Sequence, residues 1–139
     1  MPLRLNAYIG FKDNARQAME FYQSVFGGKL DLNEFKDTPM PNADPADEHK
    51  VMHSTLETDN GMVLMAADTP SHMEYKPAAG ISMSLSGDDD AELSGYWEKL
   101  ADGGTVVIEL ASAPWGDKFG MLVDKFGIQW MINIAGKAQ

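Results

Sequence analysis

With 139 residues, 44% of them hydrophobic and 23% charged, the chain has the length and balance of one globular domain able to bury a real core. Twenty-one acidic residues against eleven basic ones leave a formal charge of -10, which repels phosphate backbones and argues against a nucleic-acid partner. The absence of cysteine excludes disulfides, thiolate metal sites and cysteine nucleophiles. No apolar run is long enough to span a bilayer and no signal-peptide pattern opens the chain, so no membrane partner is expected and the cytoplasm is the default location.

Leu3 to Phe11 reads as a strand, with Asn6, Tyr8 and Gly10 on one side and Leu5, Ala7, Ile9 and Phe11 on the other. Asp13 or Asn14 caps a helix whose buried face is Ala15, Ala18, Met19, Tyr22, Val25 and Phe26. Gly27-Gly28 ends it, and Lys29 to Lys36 is a second strand. Asp37 to His49 contains three prolines and reads as a long exposed loop, either a solvated connection or a lid over a site. Val51 to Thr58 and Met62 to Ala67 are strands joined by a hairpin turn at Asp59-Asn60-Gly61. Asp68 to Gly80 reads as a connector.

The plan then recurs. Ile81 to Ser86 is a strand, and Asp88 to Asp90 caps a helix that buries Leu93, Tyr96 or Trp97, Leu100 and Ala101. Gly103-Gly104 ends that helix and Thr105 to Leu110 is a strand. The closing hairpin runs from Lys118 to Val123, turns at Asp124-Lys125-Phe126-Gly127, and returns as Ile128 to Ile134. A shift of 76 places Asp13 on Asp89, Ala15 on Ala91, Phe21 on Trp97 and Gly27-Gly28 on Gly103-Gly104; a shift of 66 places Gly61 on Gly127 and Met65 on Met131. Two βαβββ modules of an α+β fold account for this, about 1–68 and 81–139 with a connector at 69–80, within one domain. Each module is a small curved mixed sheet with a helix on one face, and pairing the two leaves a central cleft on the other.

The order of elements, with Asn14-Ala15-Arg16-Gln17-Ala18-Met19-Glu20-Phe21-Tyr22, Phe26-Gly27-Gly28, Val51-Met52-His53, Trp115 to Gly120 and Asp124 to Asn133, resembles the glyoxalase/bleomycin resistance/extradiol dioxygenase (vicinal oxygen chelate) superfamily. The resemblance is nearest to its PhnB-like branch and covers nearly the whole chain. It implies a homodimer, sometimes module-swapped. Branch members often carry a 3-demethylubiquinone methyltransferase name, yet no glycine-rich dinucleotide- or adenosylmethionine-type loop follows a strand here.

The resemblance also implies where a catalytic metal would sit. Enzymes of the superfamily hold a divalent ion between His and Glu ligands on the first and last strand of each module. The corresponding positions here are Asn6, Met65, Ser82 and Met131, and one-residue shifts to Ala7, Leu64, Ile81 or Ile132 bring no better donor. Thioethers and neutral amides hold such ions poorly, so no metal or other cofactor is expected.

His53 is the candidate catalytic residue, because its charge changes near neutral pH, but the preferred reading is a histidine hydrogen-bonded within the cleft wall without a catalytic role. Alternation puts Val51, Thr55 and Glu57 with His53 on the cleft side and Met52 and Leu56 on the helix side. His49 and His72 are expected on the surface, and Glu57 and Glu109 read as strand-edge charges. The expected ligand-binding set is Asn6, Tyr8, His53, Thr55, Ser82, Ser84, Trp115, Phe119, Gln129, Met131 and Asn133, with Gly10 and Ser86 beside them. Trp115 and Phe119 are placed to close one end, Trp115 reading equally as a dimer-interface anchor, and Trp130 belongs to the helix side. Apolar walls with a few directional hydrogen-bonding groups suit a small organic ligand, though the same polar positions also suit bulk water or a dimer interface. The alternative is a metal-dependent lyase, isomerase or dioxygenase with a displaced site near His53.

Overall fold

The alternating residues of the first segment fold as β1, Ala7–Phe11, in a computed structural model that describes residues 3–37 and 44–136. Ile9 and Phe11 are buried, whereas Tyr8 and Gly10 lie on the open side. Leu3 to Asn6 precede the strand and are exposed, so the expected strand loses its first half. α1 (Ala15–Phe26) follows, then β2 (Lys29–Glu34), β3 (Val51–Glu57) and β4 (Val63–Asp68). These form a sheet in the order β1-β4-β3-β2, with β1 and β4 parallel and the other pairs antiparallel. Ala18, Met19, Tyr22 and Val25 are buried where α1 packs on β2, β3 and β4. Each large side chain taken from water there contributes about 1.5–3 kcal/mol. Phe26 is only half-buried.

The second half builds a matching sheet. β5 (Ser82–Gly87), α2 (Asp90–Ala101), β6 (Thr105–Ser112), β7 (Lys118–Val123) and β8 (Gln129–Ile134) pair in the order β5-β8-β7-β6. β5 and β8 are parallel, and the rest is antiparallel. Asp89 caps α2, its carboxylate accepting the Glu92 N–H at 3.1 Å. Leu93, Trp97 and Leu100 are buried under α2, while Tyr96 turns outward to donate its hydroxyl to Glu92 and Ala101 is only partly covered. The compact units of the chain are Met1–Pro77 and Ala78–Gln139.

The repeat is real but not uniform. In unit 1 the Thr69 N–H donates to the Phe11 carbonyl at 2.7 Å; in unit 2 Ala135 donates to Gly87 at the same distance, offsets of 66 and 76. The helices, however, are related by 75: Ala15–Phe26 corresponds to Asp90–Ala101. The β5–α2 connection is one residue shorter than the β1–α1 connection, so Tyr22, not Phe21, takes the place of Trp97. The two hairpin turns do match. The Gly61 N–H bonds to Thr58 and the Gly127 N–H to Asp124, and both glycines have a left-handed backbone, φ 87° and 86°. That conformation is what keeps a residue with a Cβ out of either place.

Two further expectations are corrected. Val51 is 1% exposed and buried with Ser54 and Leu56, not on the open face. A bulge opposite Asn33 and Glu34 inserts Met52 between Val51 and His53, and the extra residue breaks the alternation at this point. Part of the 37–49 loop is also held in place. Asp44 caps a single 3-10 turn, Pro45–Asp47, and Asp47 is buried. Residues 38–43, where a lid would have its tip, lie outside the described residues.

Candidate functional site

The open face of each sheet, away from its helix, carries most of the expected ligand-binding set. In unit 1 the register places Tyr8, Met65, Thr55 and Asp31 in one row across all four strands. His53 is one step along β3, opposite Asn33. Its ring lies 5.8 Å from that of Tyr8, and its Nε2 is 3.1 Å from the Thr55 hydroxyl. Tyr8 is 56% exposed, a large ring left on the surface. His53 thus has an aromatic ring and a hydroxyl as neighbours. Asn6 lies before β1 and outside this row, a correction explained by the late start of the strand.

In unit 2 the rows are Ser82, Gln129, Val123 and Thr105; Ser84, Met131, Met121 and Ile108; and Ser86, Asn133, Phe119 and Ala111. The Ser82 hydroxyl donates to Gln129 Oε1 at 3.1 Å, and Asn133 Nδ2 donates to Asp117 Oδ2 at 3.0 Å. Trp115 meets Phe119 edge-on, with ring centres 5.7 Å apart. Trp130 points to the helix side, as alternation requires, and its indole N–H donates to the buried Asp124 carboxylate at 2.8 Å.

The parallel ladder sharpens the test of a metal site. Met65 is paired with Tyr8, and Met131 with Ser84. Whether Asn6 and Ser82 or Tyr8 and Ser84 accompany the methionines, the four positions offer no imidazole and no carboxylate. Among the described residues no group of three or more His, Asp or Glu side chains converges as a metal site would. This donor set does not fit a catalytic divalent ion.

A second polar assembly escaped the sequence reading. Asp68 belongs to β4 rather than to the connector, and its buried carboxylate accepts the Ala15 N–H at 2.9 Å and the Val51 N–H at 2.8 Å. Burial is the larger influence and raises its pKa, opposed by those two amides. Nearby, Asp47 accepts from the Ser71 hydroxyl at 2.6 Å and the Ser71 N–H at 2.9 Å, and pairs with Lys50 at 3.1 Å. The Ser71 hydrogen bonds are the main reason its pKa is pushed down to about 2. Lys50 also reaches Asp13 at 3.3 Å, and its pKa is raised chiefly by the bond to Asp47. Asp13, Arg16, Lys50 and Asp68 help to line a pocket of about 230 Å³ beside the start of α1. No local motif signals this assembly, because its members are brought together from segments far apart in the chain. His49 and His72 are exposed, as are Glu57 and Glu109.

With this geometry in view, residues 4–133 match the family described as 3-demethylubiquinone-9 3-methyltransferase. The chain belongs to that family. Protein PA1353 of Pseudomonas aeruginosa is 34% identical in sequence, its structure superposes with a TM-score of 0.87, and the match covers 98% of this chain and 100% of that one. A Bacillus cereus PhnB protein that bears the same methyltransferase description is 25% identical, with a TM-score of 0.75 over 96% of this chain and 100% of its own. Among curated sequences, Protein YjdN of Escherichia coli K12 is 24% identical, covering 94% of each chain. A glyoxylase/bleomycin resistance protein/dioxygenase domain from Frankia shares the fold, with a TM-score of 0.65 at 10% identity over 99% of both chains. That likeness is one of fold, and the α+β architecture is the one expected. No helix among the described residues is long and apolar enough to cross a membrane.

Proposed function

We propose that the chain binds a small organic molecule on the open sheet faces and does so without the divalent metal used by the superfamily's enzymes. The observation that carries this reading is the pair of equivalent methionines, Met65 and Met131, each at the centre of its face and laddered to Tyr8 or Ser84. A thioether beside a phenol or an aliphatic hydroxyl suits apolar contact with a few hydrogen bonds, not a hard cation. Transfer of a methyl group finds no support in the strand-to-helix connections: residues 12–14 and 88–89 contain no glycine and carry Asp13, Asp88 and Asp89.

Dialysis of the protein against Zn, Ni, Mn and Fe(II), followed by elemental analysis, tests the metal-free part. The expected content is far below one ion per chain; one tightly held ion per chain overturns it. A homodimer belongs to the same proposal. β6 is an edge strand that leaves Val107 60% and Ile108 45% exposed, apolar surface that a second copy would cover. Sedimentation near twice the 15.2 kDa chain mass is the expected result, and sedimentation of a monomer at micromolar concentration overturns this part.

A further inference from the structure

One side chain on the open face of unit 2 has its polarity fixed by a partner that can only accept. Asn133 donates its Nδ2 to Asp117 Oδ2, and an ionised carboxylate offers no proton in return. Turning the amide round would set its carbonyl oxygen against that carboxylate. Asp117 is anchored in its own right, because its Oδ1 accepts the Gly136 N–H at 2.7 Å. The Asn133 and Gly136 bonds lower its pKa, in that order, so it stays charged at neutral pH. The carbonyl oxygen of Asn133 is then left as an acceptor on a half-buried face.

The surroundings of that oxygen are specific. Across β5–β8 its neighbour is Ser86, and across β7–β8 it is Phe119. Side chains paired directly across an antiparallel ladder stand about 5 Å apart, so the amide and the phenyl ring share one spot. Trp115 lies edge-on to Phe119 and is 62% exposed, extending the aromatic wall beyond the sheet. Lys118, adjacent in sequence, is on the helix side and committed to Asp90 at 2.6 Å. The spot therefore combines an acceptor, a hydroxyl, two aromatic rings and a nearby fixed negative charge.

We infer that Asn133, oriented by Asp117, selects the ligand: the spot takes an uncharged flat ring that carries an N–H or O–H, with that donor on Asn133 Oδ1 and the ring against Phe119 and Trp115. Carboxylates and phosphates are disfavoured, since they bring acceptors to an acceptor and a negative charge towards Asp117. Asn133 would act here as a specificity-determining residue and Asp117 as a positioning residue. The inference rests on the ligand-binding reading above.

Matched pairs of probes test it on the full chain: indole against 1-methylindole, and quinolin-2(1H)-one against its N-methyl form. The two-dimensional amide NMR spectrum is followed during titration. Indole and the quinolinone are expected to shift the Asn133 side-chain amide and the Trp115 indole N–H, and their N-methyl forms to bind about three- to ten-fold more weakly, the value of one hydrogen bond. That discrimination disappears in Asn133→Ala and shrinks in Asp117→Asn, where the amide is free to turn. Melting temperatures of both variants separate loss of selectivity from loss of fold, and Ser86→Ala with shifts read on β7 and β8 keeps the test open if either variant fails to fold. Equal binding within each pair, or shifts confined to other parts of either sheet, overturns the Asn133 assignment and leaves the ligand-binding reading standing. No binding of any of the four compounds overturns the assignment; failure of a broad fragment library to bind either sheet would sink the underlying reading as well.

Discussion

The carboxylate of Asp68 accepts the N–H of Ala15, so the first turn of α1 is capped from 53 positions away while the side chain of Asn14, the N-cap residue, makes no capping bond. The same group accepts the first amide of β3, at Val51, which ties helix and sheet together at one buried point. Asp68→Ala strands two buried donors and should cost about 3 kcal/mol in urea unfolding. Asp68→Asn keeps one acceptor and should lose less. Equal losses would show that capping is not the source.

Acid should weaken unit 1 through Asp47. Its pKa falls from an ordinary 3.8 to about 2 on folding, chiefly through the Ser71 hydroxyl and N–H. A carboxyl lowered in this way contributes stability above its unfolded pKa and loses it as pH falls through the folded one. The urea midpoint should therefore drop between about pH 4 and pH 2, and Asp47→Asn should flatten that limb. Asp68, raised by burial, has the opposite sign: its protonation on acidification offsets part of the loss. A midpoint that falls as steeply in Asp47→Asn as in the parent chain would rule out Asp47 as the cause.

Gly120 sits where a Cβ would come within 2.7 Å of the Trp97 ring and 2.9 Å of the Leu110 backbone. The indole that fills the space under α2 has no room for a methyl group there. Gly120→Ala should cost about 1–3 kcal/mol by overpacking and alter the Trp97 fluorescence. The corresponding site in unit 1, Ser54, is fully buried and donates its hydroxyl to the Ala66 carbonyl at 2.7 Å.

Asp124 closes the last hairpin by accepting from the Phe126 and Ile128 amides and from the Trp130 indole. Asp124→Ala should cost about 3 kcal/mol, and Trp130→Phe, which removes one donor and leaves a small cavity in place of the larger ring, about 2 kcal/mol. Combining them in a double-mutant cycle should give less than the sum, since both break the same bond. Full additivity would mean that the indole–carboxylate bond contributes nothing.

The architecture could be read from residues because its markers are local: glycines with a forced backbone at 61 and 127, two amphipathic helices, and alternating strands. Most open-face positions could be read for the same reason, Asn6 and Val51 being the exceptions. Val51 departs from simple alternation because the bulge at Met52 carries no glycine or proline to announce it, and an apolar residue suits either side. Both helices carry adjacent aromatics, Phe21-Tyr22 and Tyr96-Trp97, so offsets of 75 and 76 each align one aromatic with another and the residues alone do not separate them. Asp68 gave no signal at all. A capping residue that acts across 53 positions resembles any aspartate at the end of a strand.

The shorter β5–α2 connection limits how the halves can be recombined. Each residue turns a helix by about 100°, so a chimera joined at the 76-residue spacing would swing the buried stripe of α1 or α2 towards water. A working exchange must cut inside the strands and carry the connection with its helix, 12–14 with α1 or 88–89 with α2. The halves are alike enough to be superposed, yet their helices cannot be traded as interchangeable parts.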